Sequence, residues 1–323
     1  MQRIRLEGEI FEAETNSFLL TTGSDTVSLL DTGIGTPNCE SQLRAALEGF
    51  SLSMSDIDCI LLTHFHYDHA GLASTIQQEA AATVYCHSAD APLVAGTADR
   101  FLEEIVRKGG RLATWGVPSR KRDELRHILE ASASLGGGPV EVTSIADGET
   151  VSAGGHEVIV HHLPGHTAGH VAYEIDDSTV VVGDLLHPTK TPNVGGDYRL
   201  DNPIAAYLAS LTRLSDMEPK EVWPGHGESI QRPTKRINEI IEHHYHRSRQ
   251  VLDIIDTLDG GRPWAVAQEM FGDLSGIHVL NGVGEAAAHL AFLASVDAVD
   301  QVGDAFHHRT NNRDIAPEFP RFP

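Results

Sequence analysis

The stretch "CILLTHFHYDHAGL", residues 59 to 72, constrains this chain more than any other. An apolar run that reads as a buried strand is followed at once by His64, His66, Asp68 and His69. Polar side chains are costly to desolvate unless they are paired or hold a metal, so this crowding behind a strand marks a site rather than a core. Continued as a regular strand, the run places His64, His66 and Asp68 on one face and His69 on the other. A turn is needed to gather all four, and "YDHAGL" with Gly71 supplies it before the helix-like "LASTIQQEAA".

Three later segments deliver one ligand-type residue each. The β-like run "HEVIVHH" ends in a Pro164–Gly165 turn that carries His166. "STVVVGDLL" is an apolar strand ending on Asp184 just after Gly183, and "EVWPGHGE" repeats the Pro-Gly turn before His226. Strand ends that each present an imidazole or a carboxylate are how a metal site is built along a sheet edge. Neutral imidazole suits zinc, and a carboxylate adds charge and can bridge two ions.

With "NSFLL" (16–20), "SLLDTG" (28–33), "THFHYDHAGL", "LPGHTAGHV", "VVGDLL" and "WPGHG" in order, the chain resembles the metallo-β-lactamase superfamily, most closely its glyoxalase II-like hydrolases. The resemblance covers residues 4 to 232. It implies an α/β fold, a four-layer αβ/βα sandwich with a helical insertion and a small helical, winged-helix-like C-terminal region. It also implies two divalent metal ions, most simply Zn2+, with iron or manganese as alternatives. His64, His66 and His166 would hold one ion, Asp68, His69 and His226 the other, and Asp184 would bridge them. Asp31 would support the site's loops without ligating. The implied activity is hydrolysis of an ester or thioester by a hydroxide held between the ions, with Asp68 available to move a proton. A lactonase on the same site, or a phosphodiesterase or ribonuclease of the same fold, is the alternative. A non-enzymatic metal-binding module is disfavoured because no redox-type extension follows.

Composition narrows partners and compartment. The 323 residues include 24 basic and 46 acidic side chains, a net charge of −22, and only five of the basic ones are lysine. Clustered positive charge, which nucleic-acid surfaces require, is missing, so a small-molecule substrate is expected. Such acidity with arginine preferred suggests adaptation to a salt-rich interior, with an ordinary acidic protein as the alternative. No apolar stretch approaches a membrane span, "MQRIRLEGEIF" lacks a signal peptide's apolar block, and Cys39, Cys59 and Cys86 show no C-x-x-C spacing. Those features point to a cytoplasmic protein with buried free thiols. The oligomeric state stays open, a homo-oligomer included.

Residues 1–232 are expected to form the catalytic domain, interrupted by the helical insertion at 93–138. Residues 233–302 should be helical, and 303–323 a loosely ordered tail. The insertion holds eight basic against six acidic residues. Its run "SRKR" offers Arg120, Lys121 and Arg122 as contacts for an anionic substrate, unless these charges form ordinary helix-surface pairs. His170 and His187 are candidates to orient a ligand or line the pocket. His87, His161 and His162 read as structural, and His243, His244 and His246 as surface residues of a helix.

Overall fold

The computed structural model describes residues 1–8, 14–21, 26–96, 98–176, 179–309 and 314–321, with the side chains of 98–102 and 176 left aside. The first half runs β1 (Gln2–Leu6), β2 (Thr15–Leu20), β3 (Ser28–Leu30), α1 (Pro37–Gly49), β4 (Cys59–Leu61), α2 (Tyr67–Ala70), α3 (Ala73–Ala80), β5 (Thr83–His87), α4 (Ala91–Val94), α5 (Ala98–Thr114), α6 (Ser119–Ser132) and β6 (Val142–Ile145). The second half runs β7 (Thr150–Ala153), β8 (His156–His162), β9 (Val171–Asp176), β10 (Thr179–Gly183), α7 (Pro203–Asp216), β11 (Glu221–Pro224), α8 (Pro233–Thr257), α9 (Pro263–Phe271), α10 (His278–Ser295), β12 (Val299–Val302) and β13 (Ala305–His308).

Strands β1 to β6 form one sheet in sequence order, and a second sheet runs β11-β10-β9-β8-β7. Strands β3 to β6 pair in parallel through helical crossovers, which explains why "SLL" and "CIL" are apolar at nearly every position: both faces are covered. One face of the first sheet meets the second across a cluster that includes Phe18, Leu30, Leu61, Val160, Tyr173 and Val181. Its other face, with Leu29, Ile60 and Val84, packs on Leu43 and Leu47 of α1 and Ile76 of α3. The outer face of the second sheet, with Val180, Val182 and Val222, is covered by α7, α8 and α10. Helix, sheet, sheet and helix make the four expected layers. Local chemistry sets the helix starts: Thr36 caps α1 by accepting from Cys39 N at 3.3 Å, and Asn202 caps α7 by accepting from Ala205 N at 3.2 Å, each followed by a proline in the first turn.

The helices after residue 232 share one apolar cluster with the second sheet, α7, and Leu112, Val117 and Leu125 of the insertion. Two expectations change. The tail is ordered where it is described. Strand β13 closes a hairpin on β12, and Ile315 and Phe319 are buried in that same cluster; residues 310–313 and 322–323 of the tail lie outside the described residues. His244 is buried rather than on the surface, 2% exposed and facing His289 on α10. All three cysteines are free and buried. Among the described residues no helix is long and apolar enough to cross a membrane.

Candidate metal centre

Six of the seven residues singled out from the strand-end motifs fall into two neighbouring trios, with the seventh between them. His64, His66 and His166 form one, and Asp68, His69 and His226 the other; within each, the possible ligand atoms lie within 4.8 Å of one another. The turn after β4 is the short helix α2, in which His69 N bonds back to His66 O at 3.0 Å, and this brings Asp68 and His69 round to the side of His64. At the end of β10 the register shifts and Gly183 adopts a φ of 48°, a left-handed conformation glycine tolerates without penalty. That kink turns Asp184 inward. Gly225 is required beside it, since a Cβ there would stand 2.6 Å from both Asp184 Oδ1 and His69 Cε1.

Hydrogen bonds fix which imidazole nitrogens carry lone pairs. Asp31, 1% exposed, accepts from Thr63 N at 2.8 Å, from the Thr63 hydroxyl at 2.7 Å and from His69 Nδ1 at 2.8 Å. The Thr63 proton being committed to Asp31, His64 Nδ1 donates to that hydroxyl at 3.0 Å. His166 Nδ1 donates to Asn193 O at 2.9 Å, and His226 Nδ1 to Glu14 O at 2.8 Å. In its neutral form, each of these four histidines therefore turns an Nε2 lone pair toward the site. His66 Nδ1 then lies 2.9 Å from His64 Nε2 and 3.0 Å from His166 Nε2. One proton cannot serve three converging nitrogens, whereas a cation can.

Asp184 joins the trios. Its Oδ1 lies 3.4 Å from His69 Nε2 and 3.4 Å from His226 Nε2, and its Oδ2 3.5 Å from His166 Nε2. Buried Oδ1 has no hydrogen-bond partner, an exception that calls for an ion or a water. The donor set and this orphaned oxygen both fit divalent metal ions. Electrostatics divides the site in the same way. Burial and then the neighbouring imidazoles hold His64 well below its usual pKa, and His66 at about 3, so these two rings stay neutral. In the second, burial opposes protonation but the carboxylates prevail, led by Asp184. His69 is held at about 9 and His226 at about 11. Burial raises the Asp68 carboxyl, yet His69 and His226 outweigh it and bring it to about 2. The second trio thus draws positive charge.

His170 is wholly buried and accepts from Asp184 N at 3.1 Å, which seats Asp184 rather than His166. His187 accepts from Thr189 N at 3.1 Å and Lys190 N at 2.9 Å through Nδ1, so Nε2 carries its proton; its ring lies 6.5 Å from that of His226. The basic run is not gathered here. Lys121 donates to Asp273 at 3.1 Å and to Leu274 O at 2.6 Å, and Arg122 Nε to Val117 O at 3.2 Å, while Arg120 is exposed. Lys108–Glu104 and Arg126–Glu130 are i to i+4 pairs, the ordinary use of such charges. Asp99 and Arg100, part of the charge count of the insertion, lie outside the described side chains.

His87 stacks on His162 with ring centroids 3.9 Å apart, and His161 pairs with Glu174 at 2.7 Å. Sequence reading missed Thr63, Asn193 and Asn16. Asn16 donates to Pro224 O at 2.9 Å and Gly227 O at 2.8 Å, holding the turn that carries His226. Asn193 and Asn16 leave no local signal because each bonds across the fold, whereas Thr63 directly precedes the His64 it supports.

Residues 11–226 match the model of the family described as "Metallo-beta-lactamase superfamily". The chain is 26% identical to the probable metallo-hydrolase YqjP of Bacillus subtilis over 90% of its own length and 92% of that protein. It is 23% identical to the thioesterase pkgB of Emericella nidulans over 75% of its length and 54% of that protein. The crystal structure of the metallo-beta-lactamase family protein TTHA1429 from Thermus thermophilus superposes with a TM-score of 0.81 at 26% identity, covering 95% of this chain and 98% of that one. Two trios of ligand-type side chains at the mouth of a four-layer sandwich, and a family match across both, lead to one assignment: the chain belongs to the metallo-beta-lactamase superfamily, a superfamily of metallo-hydrolases.

Proposed function

We propose that this protein hydrolyses the ester or thioester bond of a small molecule in the manner of glyoxalase II-like enzymes. The observation that carries the reading is Asp184, one carboxylate whose two oxygens face two different trios. His64, His66 and His166 would hold one divalent ion, Asp68, His69 and His226 the other, with Asp184 shared. Zinc is the first choice and iron or manganese the alternative. Bound there, the two ions would supply a water acidic enough to ionise near neutral pH and a Lewis acid for the carbonyl oxygen.

The chain's own residues do the rest. Asp31 and Thr63 hold His64 and His69 with their lone pairs aimed inward. Asp68 is the more open of the two site carboxylates, 21% exposed against 16% for Asp184, and would be the one to accept a proton and pass it to solvent. His187 offers an Nε2 proton beside the His226 ring. No cysteine competes as nucleophile, since all three are buried and burial pushes the Cys39 thiol up to about 11. The motif resemblance and the name of the relative pkgB support a thioester over other bonds. Metal analysis of the purified protein, followed by a panel of thioesters, lactones and phosphodiesters, tests this. About two ions per chain and preferential thioester cleavage are expected. Cleavage confined to phosphodiesters would overturn the substrate class, and a metal-free active protein would overturn the site.

A further inference from the structure

Behind the first trio lies a buried ionic group that the reaction does not use. Asp90, 0% exposed, stands just past the end of β5. Its Oδ1 accepts from Gly169 N at 2.9 Å and Arg199 Nη2 at 2.6 Å, and its Oδ2 from the Thr167 hydroxyl at 2.8 Å and Phe65 N at 3.3 Å. Asp197 accepts from Ala168 N at 2.7 Å through Oδ2 and from Arg199 Nε at 2.8 Å through Oδ1. Arg199 also donates to Ala89 O, and its guanidinium lies 5.0 Å from the Phe65 ring centroid.

The positions of these acceptors matter. Phe65 lies between His64 and His66, and Thr167 to Gly169 directly follow His166. The trio is thus made of two loops from different sheets, about a hundred residues apart in sequence, and one carboxylate bonds to both. Gly169 is packed against it: a Cβ there would stand 2.6 Å from the Asp90 carboxyl carbon. Arg199 neutralises part of the buried charge that this arrangement needs. A lone arginine near a pocket suggests an anchor for an anionic substrate, but four of its five N–H donors are already taken by Asp90, Asp197 and Ala89 O.

The geometry points to Asp90, Arg199 and Asp197 as a clamp that sets the spacing of His166 from His64 and His66, with Arg199 a positioning residue and not a substrate contact. The inference rests on the trio being one of the two metal positions proposed above. Partners that orient ligands typically change metal affinity by about 10- to 100-fold when removed.

The test compares wild type with Arg199→Met, Arg199→Lys and Thr167→Val. Arg247→Met serves as control, since it breaks the 3.2 Å Arg247–Glu285 pair between α8 and α10. Each protein is titrated with Co2+ to separate the two affinities. Hydrogen exchange of peptides covering 63–69 and 165–170 is measured on the metal-free form. Arg199→Met should weaken one ion by about 10- to 100-fold, leave the other nearly unchanged, and speed exchange in those two loops selectively. Thr167→Val and Arg199→Lys should give smaller changes in the same direction, and Arg247→Met should lower the melting temperature with neither signature. Wild-type affinities in Arg199→Met, or losses no more selective than those of Arg247→Met, overturn the clamp. If Arg199→Met does not fold, an unchanged first ion in both milder variants overturns it equally. A wild type that bound no metal would instead remove the metal assignment, with the exchange data still judging the clamp.

Discussion

Replacing Asp31 with asparagine is the sharpest probe of how the site is oriented, because it changes one atom and almost no volume. The carboxylate receives three donors: Thr63 N on Oδ1, and the Thr63 hydroxyl and His69 Nδ1 on Oδ2. An amide has one acceptor oxygen. If that oxygen replaces Oδ2, the NH2 group faces the Thr63 amide, donor against donor. If it replaces Oδ1, the NH2 group faces His69 Nδ1, which must then accept, and the ring's proton moves to Nε2, the nitrogen aimed at the site. Either outcome leaves a buried donor unmade at about 1–3 kcal/mol. The second also removes a ligand lone pair. A loss of that size is a factor of about 10 to 100 in affinity, and it should fall on the ion held by Asp68, His69 and His226. Competition titration of metal-free protein against a chromophoric chelator resolves the two affinities. Equal weakening of both ions, or wild-type affinity for both, would refute the argument that Asp31 sets the His69 tautomer.

Three other outcomes are expected. His66→Ala and Asp184→Ala should each abolish turnover and lower bound metal, with the larger metal loss for Asp184 because it faces both trios; elemental analysis alongside kinetics checks this. His244, wholly buried, is pushed down to about 3 by burial, with His243 and Arg247 adding to the effect. The folded state therefore holds it neutral, and its contribution is intact above pH 6.5 and lost as pH falls. The penalty at pH 5 is on the order of 2 kcal/mol, so His244→Leu should narrow the drop in urea stability between pH 7.5 and pH 5 by that order, and an identical drop in both proteins would contradict it. Finally, a net charge of −22 should make the melting temperature climb between dilute and molar potassium chloride as repulsion is screened; a flat curve would remove salt adaptation.

Much of the centre could be read from the chain because its parts are local. An apolar strand followed by His-x-His-x-Asp-His, and a Pro-Gly turn before His166 and His226, state both the side chains and the backbone break that presents them. The same apolar runs imply strands covered on both faces, hence the layers. His244 is legible too: Ile237, Ile240, Ile241, His244, Ser248, Val251, Leu252 and Ile255 form one buried stripe of α8, a spacing that the neighbouring His243 and His246 mask.

Other features were decided only by tertiary structure. Which way α6 turns "SRKR" depends on the α9–α10 connection, where Asp273 and Leu274 wait for Lys121. The tail beyond 303 looks poor in core-forming residues, yet Ile315 and Phe319 find a cluster already built by distant helices. Asp90 and Arg199, 109 positions apart, carry no motif at all. Hydrophobic pattern and turn chemistry act over a few residues and leave a local trace. A buried charge is tolerable only where partners from elsewhere in the chain satisfy it, and those partners exist only once the sheets have packed.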